Sequence, residues 1–199
     1  MLVVTFYTKN TPYEDEAKKL EKSLVKFQLP YKFYPVESKG DHVKNVQMKP
    51  IIILQALREH EDNIVWMDSD NIVLDYPSKL YDLDAGRLLH DFASVIVWGR
   101  PSRTPMINNW KFAANVMFFR NTPKIHGVVH EWADGCRNGE WSDHYYLMKT
   151  LLKHKDNVDV YYLPMEYLRE VPFMSFGSSS HVILHNTVSR NVFGRNWRI

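Results

Sequence analysis

The sequence predicts an α/β fold, a single domain whose mainly parallel central sheet is flanked by helices. Short runs of β-branched and aromatic residues alternate along the chain with segments whose apolar residues recur at helical spacing, which is the pattern of such folds. The chain has 199 residues, of which 45% are hydrophobic and 24% charged, a size and composition that suit one globular core. We expect the domain to span residues 1–188, followed by a basic C-terminal tail at 189–199.

The first half of the chain has strand patterns separated by two helical patterns. Each strand is a short apolar run, and each helix begins beside a proline, which is favoured in the first helical turn. The predicted elements are a strand at 2–7, a helix opening at Thr11-Pro12 and stopped by Pro30, a strand at 31–36, a polar loop at 37–47, a helix opening at Met48-Lys49-Pro50, and strands at 64–67 and 72–74.

The second half continues the alternation. Its most unusual feature is the loop 99–111, which contains Gly99, two prolines and two arginines, because long loops in compact domains are often functional. The predicted elements are strands at 92–98 and 115–119, a helix from Thr122-Pro123 to about Cys136, a helix capped by Ser142 and running to about His154, and strands at 158–163 and 182–184.

Charge and cysteine usage limit the function classes. The formal net charge is +2, which is too mild to indicate a polyanion partner and still permits one. The single cysteine, Cys136, excludes an internal disulfide and is typical of a reducing compartment. The N-terminus has no signal-peptide pattern and no apolar run reaches about 18 residues, so we expect a cytoplasmic protein without a membrane span.

The sharpest local feature is Asp68-Ser69-Asp70, which directly follows the apolar strand Ile64–Met67. In open α/β sheets, ligands bind beyond the carboxyl ends of strands. Two acids at that position repel each other unless a cation compensates them, and oxygen ligands suit Mg²⁺ or Mn²⁺, which keep open positions for phosphate oxygens. The motif therefore predicts a metal–diphosphate clamp; the alternative is an ordinary polar turn.

Three further polar residues stand where elements begin or end. His185 closes an apolar strand and is a candidate Mn²⁺ ligand, or else a hydrogen-bonded core or surface histidine. Asp143 lies in the first turn of a predicted helix, where it could accept a proton or only offset the helix dipole. Asn115 follows two alanines and could bridge sugar hydroxyls, or simply start a strand.

These features, in this order, resemble glycosyltransferases of the GT-A fold, particularly small nucleotide-diphospho-sugar transferases. The resemblance runs from Val3 to about His185, with alanines at 113 and 114 where many relatives have glycine, and with His144 where glutamine is frequent. Its motifs are the aspartate–any–aspartate sequence at 68–70, the lysine-bearing helix start at 49–50, the sugar-pocket segment FAANVMFFR at 112–120, the acidic helix start at 142–144, and the C-terminal histidine at 185.

The resemblance implies a Rossmann-like GT-A domain and a role for each matched residue. Asp68, Asp70 and His185 would hold Mn²⁺ (or Mg²⁺), which neutralises the departing nucleoside diphosphate. Asp143 would be the catalytic base of an inverting enzyme, or would orient the donor sugar in a retaining one. The resemblance also implies which residues bind the donor. Thr5, Tyr7 and Thr8 would contact the base and ribose, although Tyr7 could instead be a core aromatic. Lys49, Ser69 and Arg100 (or Arg103) would contact the diphosphate, and Asn115 would contact the sugar.

The leading hypothesis is a metal-dependent hexosyl- or pentosyltransferase that uses a nucleotide sugar, most simply a UDP-sugar, and a glycan or small-molecule acceptor. The arginines of the tail, Arg190, Arg195 and Arg198, leave open a viral-type enzyme that glycosylates a hydroxymethylated DNA base. A nucleotidyltransferase would also use paired acids, but the segment Thr8–Pro12 has no glycine for a phosphate loop. A catalytically inactive binding module on the same scaffold is the third alternative.

Overall fold

A computed structural model describes residues 1–98, 110–170 and 181–186. The chain forms a six-stranded sheet in the order β2-β1-β3-β6-β5-β7 and a small sheet in the order β4-β9-β8. The strands are β1 (Leu2–Thr8), β2 (Tyr31–Val36), β3 (Ile64–Met67), β4 (Asn71–Val73), β5 (Phe92–Trp98), β6 (Trp110–Phe119), β7 (Val160–Leu163), β8 (Arg169–Glu170) and β9 (Ile183–His185), and the helices are α1 (Pro12–Lys26), α2 (His42–Val46), α3 (Lys49–Glu59), α4 (Ser78–Asp84), α5 (Pro123–Asn138) and α6 (Asp143–Lys153).

The predicted α/β class with a mainly parallel sheet is confirmed. The neighbours β2 and β1, β1 and β3, and β5 and β7 are parallel. Strand β6 runs antiparallel to both β3 and β5. Because β6 enters from the opposite direction, its middle lies beside the carboxyl end of β3, where the backbone N–H of Asp68 donates to the Asn115 carbonyl at 2.9 Å.

Helices cover both faces of the large sheet, and the alternation of side chains along each strand divides the core between them. On β1, Val4 packs with α3, α5 and α6, whereas Val3 packs with α1 and α4 on the opposite face. On β3, Trp66 and Val65 divide in the same way. None of the helices in the described ranges combines the length and apolar character needed to cross a bilayer.

One predicted strand boundary was wrong, and two helices were not predicted. The strand expected at 115–119 begins at Trp110, so residues 110 and 111 are strand rather than loop. The expected loop at 37–47 contains the short helix α2, whose N-cap Asp41 accepts a hydrogen bond from the Lys44 backbone. Helix α4 was not predicted at all. The first residues of β6 are extended by pairing with β5, and pairing with another strand leaves no periodic signal in the segment itself.

Candidate active site

A cavity of about 360 Å³ opens at the carboxyl ends of β1 and β3. Residues from β6, α2 and the first turns of α3 and α6 also line it. Most of its charged groups are carboxylates, since Asp68, Asp70 and Asp143 face it together with Lys49 and Lys111. The structure therefore brings the acids of two distant segments to one cavity at the sheet edge where α/β proteins bind ligands.

Asp68, Asp70 and His185 form one cluster in the cavity, each offering a ligand atom within 4.8 Å of the others. Asp68 and Asp70 extend from the turn after β3, which is closed by a hydrogen bond from the Asn71 backbone N–H to the Asp68 carbonyl at 2.9 Å. The small sheet supplies the histidine, because β9 pairs with β4 so that His185 lies opposite Asn71. His185 Nδ1 is 3.3 Å from Asp70 Oδ1 and 3.0 Å from Asn71 Oδ1.

The cluster fits a divalent cation in both spacing and donor type. Ligands on opposite sides of one Mg²⁺ ion lie about 4.2 Å apart, so the three donor atoms need only small shifts to share an ion. Carboxylates suit Mg²⁺ and Mn²⁺, and the imidazole shifts the preference toward Mn²⁺ or a later transition metal. The side chain of Asp70 is 6% exposed and that of Asp68 is 26% exposed, so an ion bound here stays open to a ligand on the Asp68 side.

Lys49 lies beneath this cluster and joins it to Asp143. Its ammonium is 2.9 Å from Asp68 Oδ1 and 3.3 Å from Asp143 Oδ2, and it donates to the Ala114 carbonyl at 2.9 Å. Burial alone would lower the pKa of Lys49, but the charges of the two carboxylates outweigh it and hold the pKa above its usual value. Lys49 is therefore charged and lines the cavity with its ammonium paired to Asp68 and Asp143.

Asp143 begins α6, as predicted, and its side chain is 7% exposed. Ser142 occupies the N-cap position with extended backbone, although its hydroxyl makes no capping hydrogen bond. The indole N–H of Trp132 donates to the Asp143 backbone carbonyl at 2.8 Å, which fixes the first turn of the helix. Oδ2 of Asp143 has an ion-pair contact with Lys49 but no hydrogen bond within the described part of the chain. That oxygen can accept a hydrogen bond from a hydroxyl in the cavity.

Asn115 is the clearest sign of a missing ligand. It is 7% exposed, yet neither its Oδ1 nor its Nδ2 has a hydrogen-bond partner among the described residues. Leaving a buried polar atom without a partner costs about 1–3 kcal/mol, so such groups are usually satisfied by something that binds. Because Asn115 faces the cavity beside Asp68, its amide is placed to donate to one hydroxyl and accept from another.

His144, which stands where the resembled family often has glutamine, is held in one tautomer. Its Nε2 lies 2.6 Å from the Phe112 carbonyl, and a carbonyl only accepts, so the proton is on Nε2. Burial lowers the pKa of His144 to about 4, so the ring is neutral at pH 7. The imidazole faces the same cavity as Asp143.

The residues expected to hold the base and ribose separate into two groups. Tyr7 and Thr8 line the cavity at the end of β1, and Ser69 lines it between the two aspartates. Thr5 does not, because it is fully buried within β1. Alternation explains the difference only in part, since Thr5 and Tyr7 share a strand face but Thr5 lies deeper in the sheet.

Arg100 and Arg103, expected beside the diphosphate, lie outside the described residues, as do the tail arginines Arg190, Arg195 and Arg198. Several cavity residues were not singled out by the sequence, among them Tyr13, His42 and Trp66. Tyr13 and His42 are near the starts of helices that follow strands β1 and β2, a position that could have marked them. Trp66 had no such signal, since its strand position is typical of a core residue.

No protein-family model matches the sequence, and no curated protein sequence is detectably similar to it. Solved structures do match. A glycosyltransferase involved in glycosylation of the PBCV-1 major capsid superposes with a TM-score of 0.67 at 15% identity, covering 92% of each chain. Mouse xyloside xylosyltransferase 1 gives 0.59 at 13% identity, covering 94% of this chain and 97% of that one. The galactosyltransferase LgtC with donor and acceptor analogues gives 0.57 at 13%, covering 94% and 87%.

These likenesses establish the fold. The chain has the GT-A fold across the whole of its α/β domain, and the resemblance identified from the sequence motifs is confirmed at that level. Asp68 and Asp70 form the aspartate–any–aspartate motif at the end of β3, within the three-residue cluster that includes His185. At 13–15% identity, the activity itself has to be argued from the site.

Proposed function

We propose that this protein is a metal-dependent glycosyltransferase that moves a sugar from a nucleoside-diphosphate sugar, most simply a UDP-sugar, to a hydroxyl of a glycan or small molecule. One observation carries the proposal: the cluster of Asp68, Asp70 and His185 borders the same cavity as the buried Asp143 and the amide of Asn115, which has no hydrogen-bond partner in the described part of the chain. The cluster suits a cation that binds phosphate oxygens, and the other two side chains suit hydroxyl groups.

Each group has a defined part in this activity. A divalent ion bound by the cluster, Mn²⁺ in preference to Mg²⁺, would neutralise charge on the departing diphosphate. Asn115 binds donor-sugar hydroxyls, and Tyr7 and Thr8 contact the base and ribose. Lys49, buried between Asp68 and Asp143, forms ion pairs with both carboxylates and holds them in place.

Asp143 acts on the sugar or on the acceptor. If the reaction inverts the anomeric centre, Asp143 takes the acceptor hydroxyl proton as a general base. If the reaction retains configuration, Asp143 orients the donor sugar through its hydroxyls. The anomeric configuration of the product, read by NMR from one turnover, separates these two mechanisms.

Donor hydrolysis tests the proposal without knowledge of the acceptor. The protein is incubated with a panel of nucleotide sugars and Mn²⁺, and release of the nucleoside diphosphate is measured. We expect one donor to be hydrolysed slowly, and Asp70→Asn to abolish this while Asp75→Asn, an exposed acid outside the cavity, retains it. Equal rates in the wild type and Asp70→Asn, or no hydrolysis and no nucleotide binding at all, would overturn the proposal.

The acceptor is tested through the salt dependence of binding. A glycan or small-molecule acceptor binds with little dependence on ionic strength, whereas binding to DNA weakens steeply as salt rises. We expect a flat response with saccharide acceptors. A steep response with duplex DNA, together with transfer to a hydroxymethylated base, would contradict the glycan acceptor.

A further inference from the structure

The indole of Trp66 is bonded directly to the first carboxylate of the cluster. Trp66 Nε1 donates to Asp68 Oδ1 at 2.8 Å. Asp68 directly follows β3 and is two residues from Trp66, so this hydrogen bond closes a short stretch of chain at the end of the strand. Lys49 Nζ reaches the same oxygen at 2.9 Å. Oδ1 therefore receives two donors, while Oδ2 has no donor among the described residues and is the oxygen left for the cavity.

The ring of Trp66 is fixed on several sides, so its N–H has a fixed direction. Trp66 is 1% exposed. The Phe6 ring packs against it with centroids 5.8 Å apart, and Lys49 Nζ lies 5.5 Å from its ring centre. A buried donor held this way restricts the Asp68 carboxylate to one rotamer, because any other rotamer leaves the indole N–H without a partner.

A plainer reading is that the hydrogen bond merely satisfies a buried indole. Trp132 shows that this need can be met differently, since its Nε1 donates to a backbone carbonyl, that of Asp143, at 2.8 Å. A backbone carbonyl would therefore be enough to accept a hydrogen bond from the indole N–H of Trp66, and a carboxylate of the cation cluster is not required for that purpose. When a group that hydrogen-bonds to a metal-ligating side chain and orients it is removed, metal affinity typically falls by about 10–100-fold.

We propose that Trp66 is a positioning residue for the cation site, whose N–H holds Oδ1 of Asp68 so that Oδ2 is presented to the ion. This inference rests on the proposed function, because it requires that Asp68 bind a cation. By this inference Trp66 contributes to the metal affinity of the site, in addition to packing in the core of β3.

The test measures Mn²⁺ binding to the donor-free protein by electron paramagnetic resonance, comparing wild type with Trp66→Phe, which removes the N–H and keeps a ring. We expect about tenfold weaker Mn²⁺ binding. Trp132→Phe removes a second buried indole N–H and should bind Mn²⁺ like wild type. In an Asp68→Asn background, Trp66→Phe should have no further effect, since Trp66 acts through Asp68. Trp66→Met serves the same comparison if the phenylalanine variant fails to fold.

The outcomes separate the two claims. If the wild type binds Mn²⁺ and the folded Trp66 variants bind it equally well, the inference is wrong and the proposed function stands. If Trp132→Phe weakens Mn²⁺ binding as much as Trp66→Phe, the effect is general destabilisation and the inference is also wrong. If the wild type binds no divalent cation, the metal-dependent function fails and the inference fails with it.

Discussion

Lys49 Nζ lies 3.3 Å from Asp143 Oδ2, and both side chains are less than a tenth exposed. Because the same ammonium is 2.9 Å from Asp68, one buried lysine connects the acid at the start of α6 to the acid at the end of β3. The positive charge of Lys49 therefore offsets negative charge in both halves of the candidate site, the cation cluster and the hydroxyl-binding acid.

Removing that charge should be costly. Lys49→Met leaves the buried carboxylate of Asp143 and the partly buried one of Asp68 without their cation, and we expect a loss of about 3–5 kcal/mol in the free energy of unfolding, measured by urea denaturation at pH 7. Adding Asp143→Asn should recover part of this loss, because one carboxylate charge is removed as well. Lys18→Met, which breaks an exposed pair with Asp15, should change stability by less than about 1 kcal/mol. A Lys49→Met variant as stable as the wild type would show that the ion pairs contribute little.

Asn115 should show opposite effects on stability and on donor binding. Asn115→Ala removes two buried atoms that have no hydrogen-bond partner among residues 1–98, 110–170 and 181–186, so we expect the free energy of unfolding of the ligand-free protein to stay level or rise by about 1 kcal/mol. Donor affinity should fall about tenfold, measured by calorimetry, because the sugar loses its amide partner.

Asn121→Ala is the matched control, since the Asn121 amide donates to three backbone carbonyls around the end of α3. It should destabilise the protein clearly. If Asn115→Ala destabilises the protein as much as Asn121→Ala does, Asn115 is a structural residue rather than a ligand-binding one.

His144 should give the protein a specific acid sensitivity. Its pKa is depressed from 6.5 to about 4, so the unfolded chain takes up this proton more readily than the folded one. The stability linked to the neutral ring is complete above pH 6.5 and is lost as the pH falls toward 4, by at most about 3 kcal/mol. His144→Gln should lack this loss. Urea denaturation of both proteins at pH 7, 5.5 and 4.5 measures it, and parallel curves would contradict it.

Asp70 and Asp143 should separate cation binding from chemistry. Asp70→Asn should weaken Mn²⁺ binding and reduce donor turnover by about 100-fold or more. Asp143→Asn should bind Mn²⁺ and nucleoside diphosphate like the wild type but reduce turnover by about 100-fold or more. The two variants are compared by Mn²⁺ titration and donor hydrolysis. Loss of Mn²⁺ binding in Asp143→Asn would place that acid among the ion's ligands instead.

Local patterns in the sequence were enough to predict the fold class and most elements. The apolar strand before Asp68 and the acid in the first turn of α6 are local signals, and both lie where expected. The antiparallel direction of β6 was not predicted, because strand direction depends on the partner strand and not on the segment's own periodicity. Its direction is what places Asn115 beside Asp68.

The roles of individual site residues were harder to predict than their positions. Lys49 was predicted to contact the diphosphate, and this stays a prediction. Its pairing with Asp68 and Asp143 could not be predicted, because the sequence does not show which acids come near it. His185 was singled out among nine histidines because it closes an apolar strand and matches the family's C-terminal histidine. Its proximity to Asp70 could not be predicted, because β4 and β9 are far apart in the chain. Trp66 was predicted only as part of the apolar strand before the acid motif, and its pattern did not show that its N–H reaches Asp68.

The central claim is that Asp68, Asp70 and His185 bind a divalent cation that in turn binds a diphosphate. Calorimetric titration of UDP into the protein, with Mn²⁺ and again with a chelator, tests it most directly. The account predicts measurable UDP binding that depends on Mn²⁺ and is lost in Asp70→Asn. UDP binding of equal strength with and without Mn²⁺, or unchanged in Asp70→Asn, would contradict it.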